Sequence, residues 1–394
     1  MRWDLITNDG IQTAQGDRPA DSDSKLSRGH PEMAIDVQGG EFNFSFYRLT
    51  GGRSDGVDCL EIDTGAIRVL VVPTRGMSLW KAWSKQGQLG WQSPVEGPVH
   101  PSLVPIYDPN GLGWLEGFDE LMVRCGLQSN GAPDFGAKGE LQFPLHGRIG
   151  NLPAHRLSIV VDKAAGTLDV IGSVIETRFH IQSLKLDAHY RFHVNKTIID
   201  CTDTVTNRRS QPASMQMLYH INLGSPILEA GAKVVAALDE IAPRNPHAAK
   251  DIDHWDTYNG PTPGYTERVY FARPLTDTRG WTTTVLHNAD RTRAVAVRFD
   301  THSLPYLNLW KNTVAIEDGY VTGIEPATGF PNPRSFEDQQ GRLVGLAGGQ
   351  SKSFTWQIES LENSAAIGKA INEVQSLQRS ECKVHREPKT GWSS

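Results

Sequence analysis

The chain has 394 residues and a net charge of −6, from 39 basic and 45 acidic residues, so it can bury a large core. It carries no basic run that would serve as a footprint for nucleic acid or an anionic lipid surface. With 38% hydrophobic and 21% charged residues, 38 Gly and 23 Pro, it reads as a turn-rich globular protein.

The first residues, MRWDLITNDGIQTAQGD, lack the apolar run of a signal peptide. No later stretch approaches the ~18 apolar residues of a membrane span, so the expected location is cytoplasmic, without a membrane partner. Residues 1–40 are polar and read as an N-terminal arm. From Glu41, EFNFSFYRL alternates Phe42, Phe44 and Phe46 with polar neighbours, the period-two pattern of a half-buried strand. The run from Leu60 to Pro73 reads as two strands meeting at Thr64 and Gly65. From Trp80 to Gly150 no period is sustained, and Gly, Pro and Trp are dense, which predicts long loops over one side of a sheet. Strands follow in LSIVVDKAAGTLDVIGSVIETRF, turning near Ala165 and Gly166, and in LKLDAHYRFHV and QMLYHINLG. A loop-rich stretch from Ala242 to Gly264 precedes TTTVLH, AVAVRF and SFTWQIESL. Ile367, Ala370, Ile371, Val374 and Leu377 then recur at helical spacing. The prediction is all-β: one domain over residues 41–361, with a short helix and tail over 362–394.

Four cysteines, Cys59, Cys125, Cys201 and Cys382, stand far apart with no C-x-x-C pair, which suits reduced thiols rather than a zinc or redox motif. His189 and His193 would share the polar face of a strand, about 13 Å apart, too far to share a metal. GLGWLEG at Gly111 lacks the dinucleotide spacing, and neither a P-loop nor G-x-S-x-G occurs. Three groups look better placed for chemistry. His146 in FPLHGRIGN and His220 in MQMLYHINLG stand where strands give way to loops, and an imidazole there can carry a proton at neutral pH. Glu325 lies in GIEPATGFPNPR, where Pro331, Pro333, Gly323 and Gly329 suggest a rigid loop presenting one carboxylate.

The ordered set LHGRIG, YHINLG and GIEPATGFPNPR, with TRGMSLW and GFDELMVRCGL, resembles the aldose 1-epimerase (galactose mutarotase) superfamily, in its divergent DUF4432-type branch. The resemblance spans about Glu41 to Leu361 and implies a galactose mutarotase-like β-supersandwich that binds a small-molecule carbohydrate in a groove. It implies Glu325 as the base at the anomeric hydroxyl and His220 as the acid at the ring oxygen. His146 would steady that oxygen or a nearby hydroxyl. Such ring opening moves one proton off O1 and one onto O5, so no cofactor and no metal is expected. Hydroxyl pairs suit Arg and carboxylates above an aromatic face, which makes Arg75, Arg124, Lys311, Arg244, Glu267 and Trp310 candidate substrate contacts. The segment RNPHAAKDIDHWDTYNGPTPGYTE has no match to the substrate aspartate of better-known mutarotases, which leaves the sugar open. Two alternatives share the groove: an aldose-ketose isomerase or carbon epimerase, and a non-catalytic carbohydrate-binding protein. The sequence does not set the oligomeric state.

Overall fold

A computed structural model describes residues 1–7 and 33–394. Among these, two large antiparallel sheets dominate, one of nine strands and one of fourteen. Apolar residues from both, among them Phe42, Leu186, Phe192, Tyr219, Ile221, Leu309 and Trp356, form one continuous core. This is the sandwich that the resemblance implies, and its all-β class is the one the strand patterns predict. The predicted hairpin appears as Arg156–Asp162 and Thr167–Arg178, and the Phe42 strand as Gly40–Arg48. The C-terminal helix is Ser364–Leu377, burying Ile367, Ala370, Ile371 and Val374. No helix among the described residues is long and apolar enough to cross a membrane.

Several local expectations are corrected. The N-terminal arm is partly sheet: Arg2–Thr7 pairs with Arg156–Asp162, and Met33–Val37 pairs with Gly40–Arg48. Both are strands at sheet edges, where one polar side facing water is tolerated, so their composition resembles a loop. The rest of that arm, residues 8–32, lies outside the described residues. The segment from Trp80 to Gly150 is not loop throughout. It contains Met122–Leu127, every residue of which is buried. A strand covered on both faces shows no polar alternation, and Arg124 and Gly126 break its apolar run. The tail after residue 377 is also anchored. Lys383–Val384 adds a parallel strand beside Leu238–Pro243, and Trp392 is buried against Phe330, ring centroids 4.7 Å apart. His189 and His193 do lie on one strand, Gln182–His193, and bond to Asp169 and Asp200 respectively.

The strand Ala213–Leu223 sits in the middle of the larger sheet, between Met122–Leu127 and Val321–Ala327, and the latter pairs in turn with Tyr306–Asn312. Because side chains alternate, these strands present one set of residues to the inter-sheet core and the other to the opposite face. Tyr219 and Arg124 point into the core. Both reach Asp203 of the smaller sheet: Tyr219 Oη donates at 2.8 Å, and Arg124 donates through Nε at 2.5 Å and Nη2 at 2.9 Å. The remaining Arg124 donors meet the carbonyls of Gly76 and Met77 and the Cys201 sulfur. Arg124 therefore joins the two sheets and does not face a ligand, a correction of its predicted role. Taking away one partner of a fully buried pair strands the other charge. Arg124→Met should therefore cost about 3–5 kcal/mol in urea unfolding, and the double variant Arg124→Met/Asp203→Leu should recover most of that loss.

Candidate functional site

Opposite the inter-sheet core, the alternation gathers a different set. Leu218 pairs with Ala327 and Ile221 with Ile324, a register that puts His220 directly across from Glu325. His220 Nε2 lies 3.2 Å from Glu325 Oε1. Glu325 is thus held by a strand, not by the loop the sequence suggested. Gly329, Pro331 and Pro333 of GIEPATGFPNPR lie in the turn that follows, before the helix Arg334–Gln339. Gly323 serves the carboxylate by its small size, since a Cβ there would come within 2.5 Å of Glu325 Oε1.

His146 comes from a separate segment. It and Gly147 adopt left-handed backbone, φ 57° and 71°, which turns the imidazole inward. The His146 and His220 rings lie 5.4 Å apart and nearly perpendicular. Aromatic side chains enclose the two: Trp114 packs 4.6 Å from His146, while Phe118 and Trp310 pack 5.0 and 5.4 Å from His220. At the rim, Trp310 Nε1 donates to Glu267 Oε2 at 2.6 Å, and Arg244 lies 3.8 Å from the other Glu267 oxygen. Of the nine predicted site residues, His146, His220, Glu325, Trp310, Glu267 and Arg244 therefore converge.

Arg75 and Lys311 do not. Arg75 is buried and donates to Glu120 Oε1, Asn151 Oδ1 and the carbonyls of Val99 and Gly117. It anchors the segment bearing Trp114 and Phe118 and leaves no face for a ligand. Lys311 follows Trp310 on its strand and so points the other way. Its ammonium donates to the carbonyls of His254 and Thr257 at 2.7 and 2.6 Å. Burial lowers its pKa to about 8. Arg and Lys in a sequence do not reveal which face of a strand they occupy, and here two of them satisfy buried backbone or carboxylate groups.

The hydrogen bonds set the tautomer of His220. Asn222 spends its amide hydrogens on the carbonyls of Glu120 and His220, at 2.9 and 3.1 Å. Its Oδ1, 2.6 Å from His220 Nδ1, must then accept, so Nδ1 carries a hydrogen. The neutral ring turns its Nε2 lone pair to Glu325. By the same logic His146 Nδ1, 2.8 Å from the Asn130 carbonyl, is a donor, which leaves Nε2 as an acceptor.

Burial dominates the electrostatics. Glu325 is raised to about 8 by desolvation and then by the charge of Glu267, with Arg244 opposing. His146 is lowered to about 4, by desolvation first. His220 is lowered well below the usual imidazole value by desolvation and by His146. At neutral pH the His220–Glu325 contact is therefore a neutral pair sharing one proton, held by the carboxyl, and not an ion pair. Among the described residues, no group of three or more His, Cys, Asp or Glu is arranged to hold a metal ion.

Sequence reasoning passed over Trp114, Phe118, Asn130 and Asn308. The first two lie in GLGWLEGF, whose glycines permit the tight packing, but nothing in their spacing marks a site. The other two are single amides without a motif.

A family model described as a domain of unknown function, DUF4432, matches residues 54–360. A protein from Klebsiella pneumoniae subsp. pneumoniae MGH 78578, described as a putative aldose 1-epimerase, is 31% identical, with 98% of each chain covered and a TM-score of 0.89. A galactose mutarotase-like protein from Clostridium acetobutylicum is 14% identical over 81% of this chain and 98% of its own, with a TM-score of 0.55. Galactose 1-epimerase from Lactobacillus acidophilus NCFM is also 14% identical, over 81% and 99%, with a TM-score of 0.52. At that identity the last two concern the fold alone. No curated protein matches the sequence. With the model spanning most of its length, the chain belongs to the DUF4432 family, built on a galactose mutarotase-like fold.

Proposed function

We propose that the protein is an isomerase of the aldose 1-epimerase type, a mutarotase that interconverts the anomers of a free sugar without a cofactor. The observation that carries this reading is the 3.2 Å contact between His220 Nε2 and Glu325 Oε1 in a buried aromatic enclosure. O1 and O5 of a cyclic hemiacetal share one carbon, so the acid and base that serve them must be neighbours. In the tautomer with the shared proton on His220, the Glu325 carboxylate takes the O1 proton. Electrons from O1 form the carbonyl, the C1–O5 bond breaks, and His220 delivers its proton to O5. The pair ends with one proton, now on Glu325, which is its resting form. After rotation about C1–C2, the reverse transfers close the ring on the other face, so the proton count balances over the cycle.

His146, with its Nε2 available as an acceptor, fits the role of receiving a hydroxyl hydrogen from the sugar better than that of donating to the ring oxygen. The Trp310 indole, fixed by Glu267, offers a flat apolar face for the ring, and Arg244 and Glu267 offer rim contacts. The four free cysteines suit the cytoplasm as the compartment.

Three outcomes test this. Glu325→Gln should slow anomer exchange, followed by polarimetry or NMR across a sugar panel, by about 10²- to 10⁴-fold. Equal rates on every sugar would defeat the mechanism. Because the pair works with one proton, kcat/KM should hold level through neutral pH and fall as pH rises past about 8, where Glu325 loses that proton. A rise through the same region would show that the bare carboxylate suffices and would remove His220 as acid. Thirdly, the folded chain keeps a proton that the unfolded chain, with a carboxyl near 4.5, releases. Stability should therefore decline between about pH 6.5 and 8 in the wild type, above the range where the two depressed imidazoles, His146 and His220, push it the other way, and thermal melts of Glu325→Gln should show a shallower decline there.

A further inference from the structure

Two buried carboxamides, one on the residue whose backbone carbonyl meets His146 and one directly across from Glu325, lack the hydrogen bonds that burial demands. Asn130 is completely buried, its carbonyl holds His146, and neither its side-chain oxygen nor its side-chain nitrogen has a partner among the described residues. Asn308 is also completely buried and stands directly across from Glu325 in the neighbouring strand, so the two side chains share a face. Its Oδ1 has no partner, and its Nδ2 makes only long contacts, 3.4 and 3.5 Å, to the carbonyls of Glu325 and Gly329. Native proteins seldom leave such groups unsatisfied, because each costs stability unless something outside the chain completes it.

Resting on the anomer-exchange reading, we propose that Asn130 and Asn308 are the recognition residues of the site, each pairing with hydroxyls of an uncharged polyol ring held over His220 and Glu325. A carboxamide presents a donor and an acceptor side by side, and adjacent hydroxyls can answer both. Asn130 lies on the His146 side and Asn308 on the Glu325 side, so the two grip the ring on either flank of the reacting carbon. The lining between them is neutral near pH 7, since both imidazoles are uncharged and Glu325 holds its proton, and at the rim Arg244 is set against Glu267. Gln216 provides an internal control. It is buried with both amide atoms unpartnered, yet it stands four residues from His220 along the same strand, roughly 13 Å away and beyond the reach of one ring.

The test is calorimetric and saturation-transfer NMR titration with neutral aldopentoses and aldohexoses, their uronic acids and their 6-phosphates, on wild type and on Glu325→Gln, which reads binding without turnover. Neutral aldoses should bind both. Asn130→Ala and Asn308→Ala should each weaken that binding about 3- to 10-fold with Tm unchanged or raised, and Gln216→Ala should leave affinity alone. The proposal is overturned if both Asn variants bind as the wild type does, if they lose Tm without losing affinity, or if only charged sugars or none of the panel bind. If the Asn variants lose affinity while the wild type exchanges no anomers, the recognition residues stand and the reaction falls. If exchange occurs and affinity is untouched, the reverse holds.

Discussion

The organisation of this protein depends on one strand being buried on both sides. In Ala213–Leu223, alternate residues face different worlds: Tyr219 reaches across the sandwich to Asp203, while His220, its neighbour, faces Glu325. A single step of the backbone separates the bond that ties the sheets together from the bond that makes the site. A one-residue slip in this strand would put the tyrosine in the site and the imidazole in the core. Such a slip would also take the Tyr219 hydroxyl away from the buried Asp203 carboxylate, leaving it with Arg124 and without that donor.

The covering segment is held by the same economy of contacts. Arg75 binds Glu120 and the carbonyls of Val99 and Gly117, and the Glu120 carbonyl accepts from Asn222, which sets the tautomer of His220. Arg75 is thus linked to the His220 ring through Glu120 and Asn222. The aromatic wall that this segment supplies keeps His220 and Glu325 dry, and dryness makes the pair neutral. The charged tautomer, with the proton on His220, lies above the neutral one because both groups are desolvated. A neutral pair with one mobile proton is the state from which bifunctional proton transfer costs little reorganisation.

The turn after Glu325 links the site to the far end of the chain. Glu337 accepts from the Phe330 amide and from Asn332 and pairs with Arg342, while Asn332 also donates to the Trp392 carbonyl. The prolines of GIEPATGFPNPR therefore stiffen a junction that carries the C-terminal tail, rather than presenting the carboxylate themselves.

Much of this was legible in the residues alone. Period-two runs such as EFNFSFYRL revealed half-buried strands, helical spacing revealed the last helix, and three motifs that resemble one family picked out His146, His220 and Glu325. What the sequence by itself determined was the all-β class and the identity of the three residues at the centre of the candidate site, because both are written locally, in alternation and in short motifs. Met122–Leu127 escaped because burial on both faces erases alternation. The roles of Arg75, Arg124 and Lys311, the tautomer of His220 and the unpartnered amides of Asn130 and Asn308 were decided only by tertiary structure. Each depends on which face of a strand a side chain takes and on what a distant segment brings to meet it, and neither is encoded within a local stretch of chain.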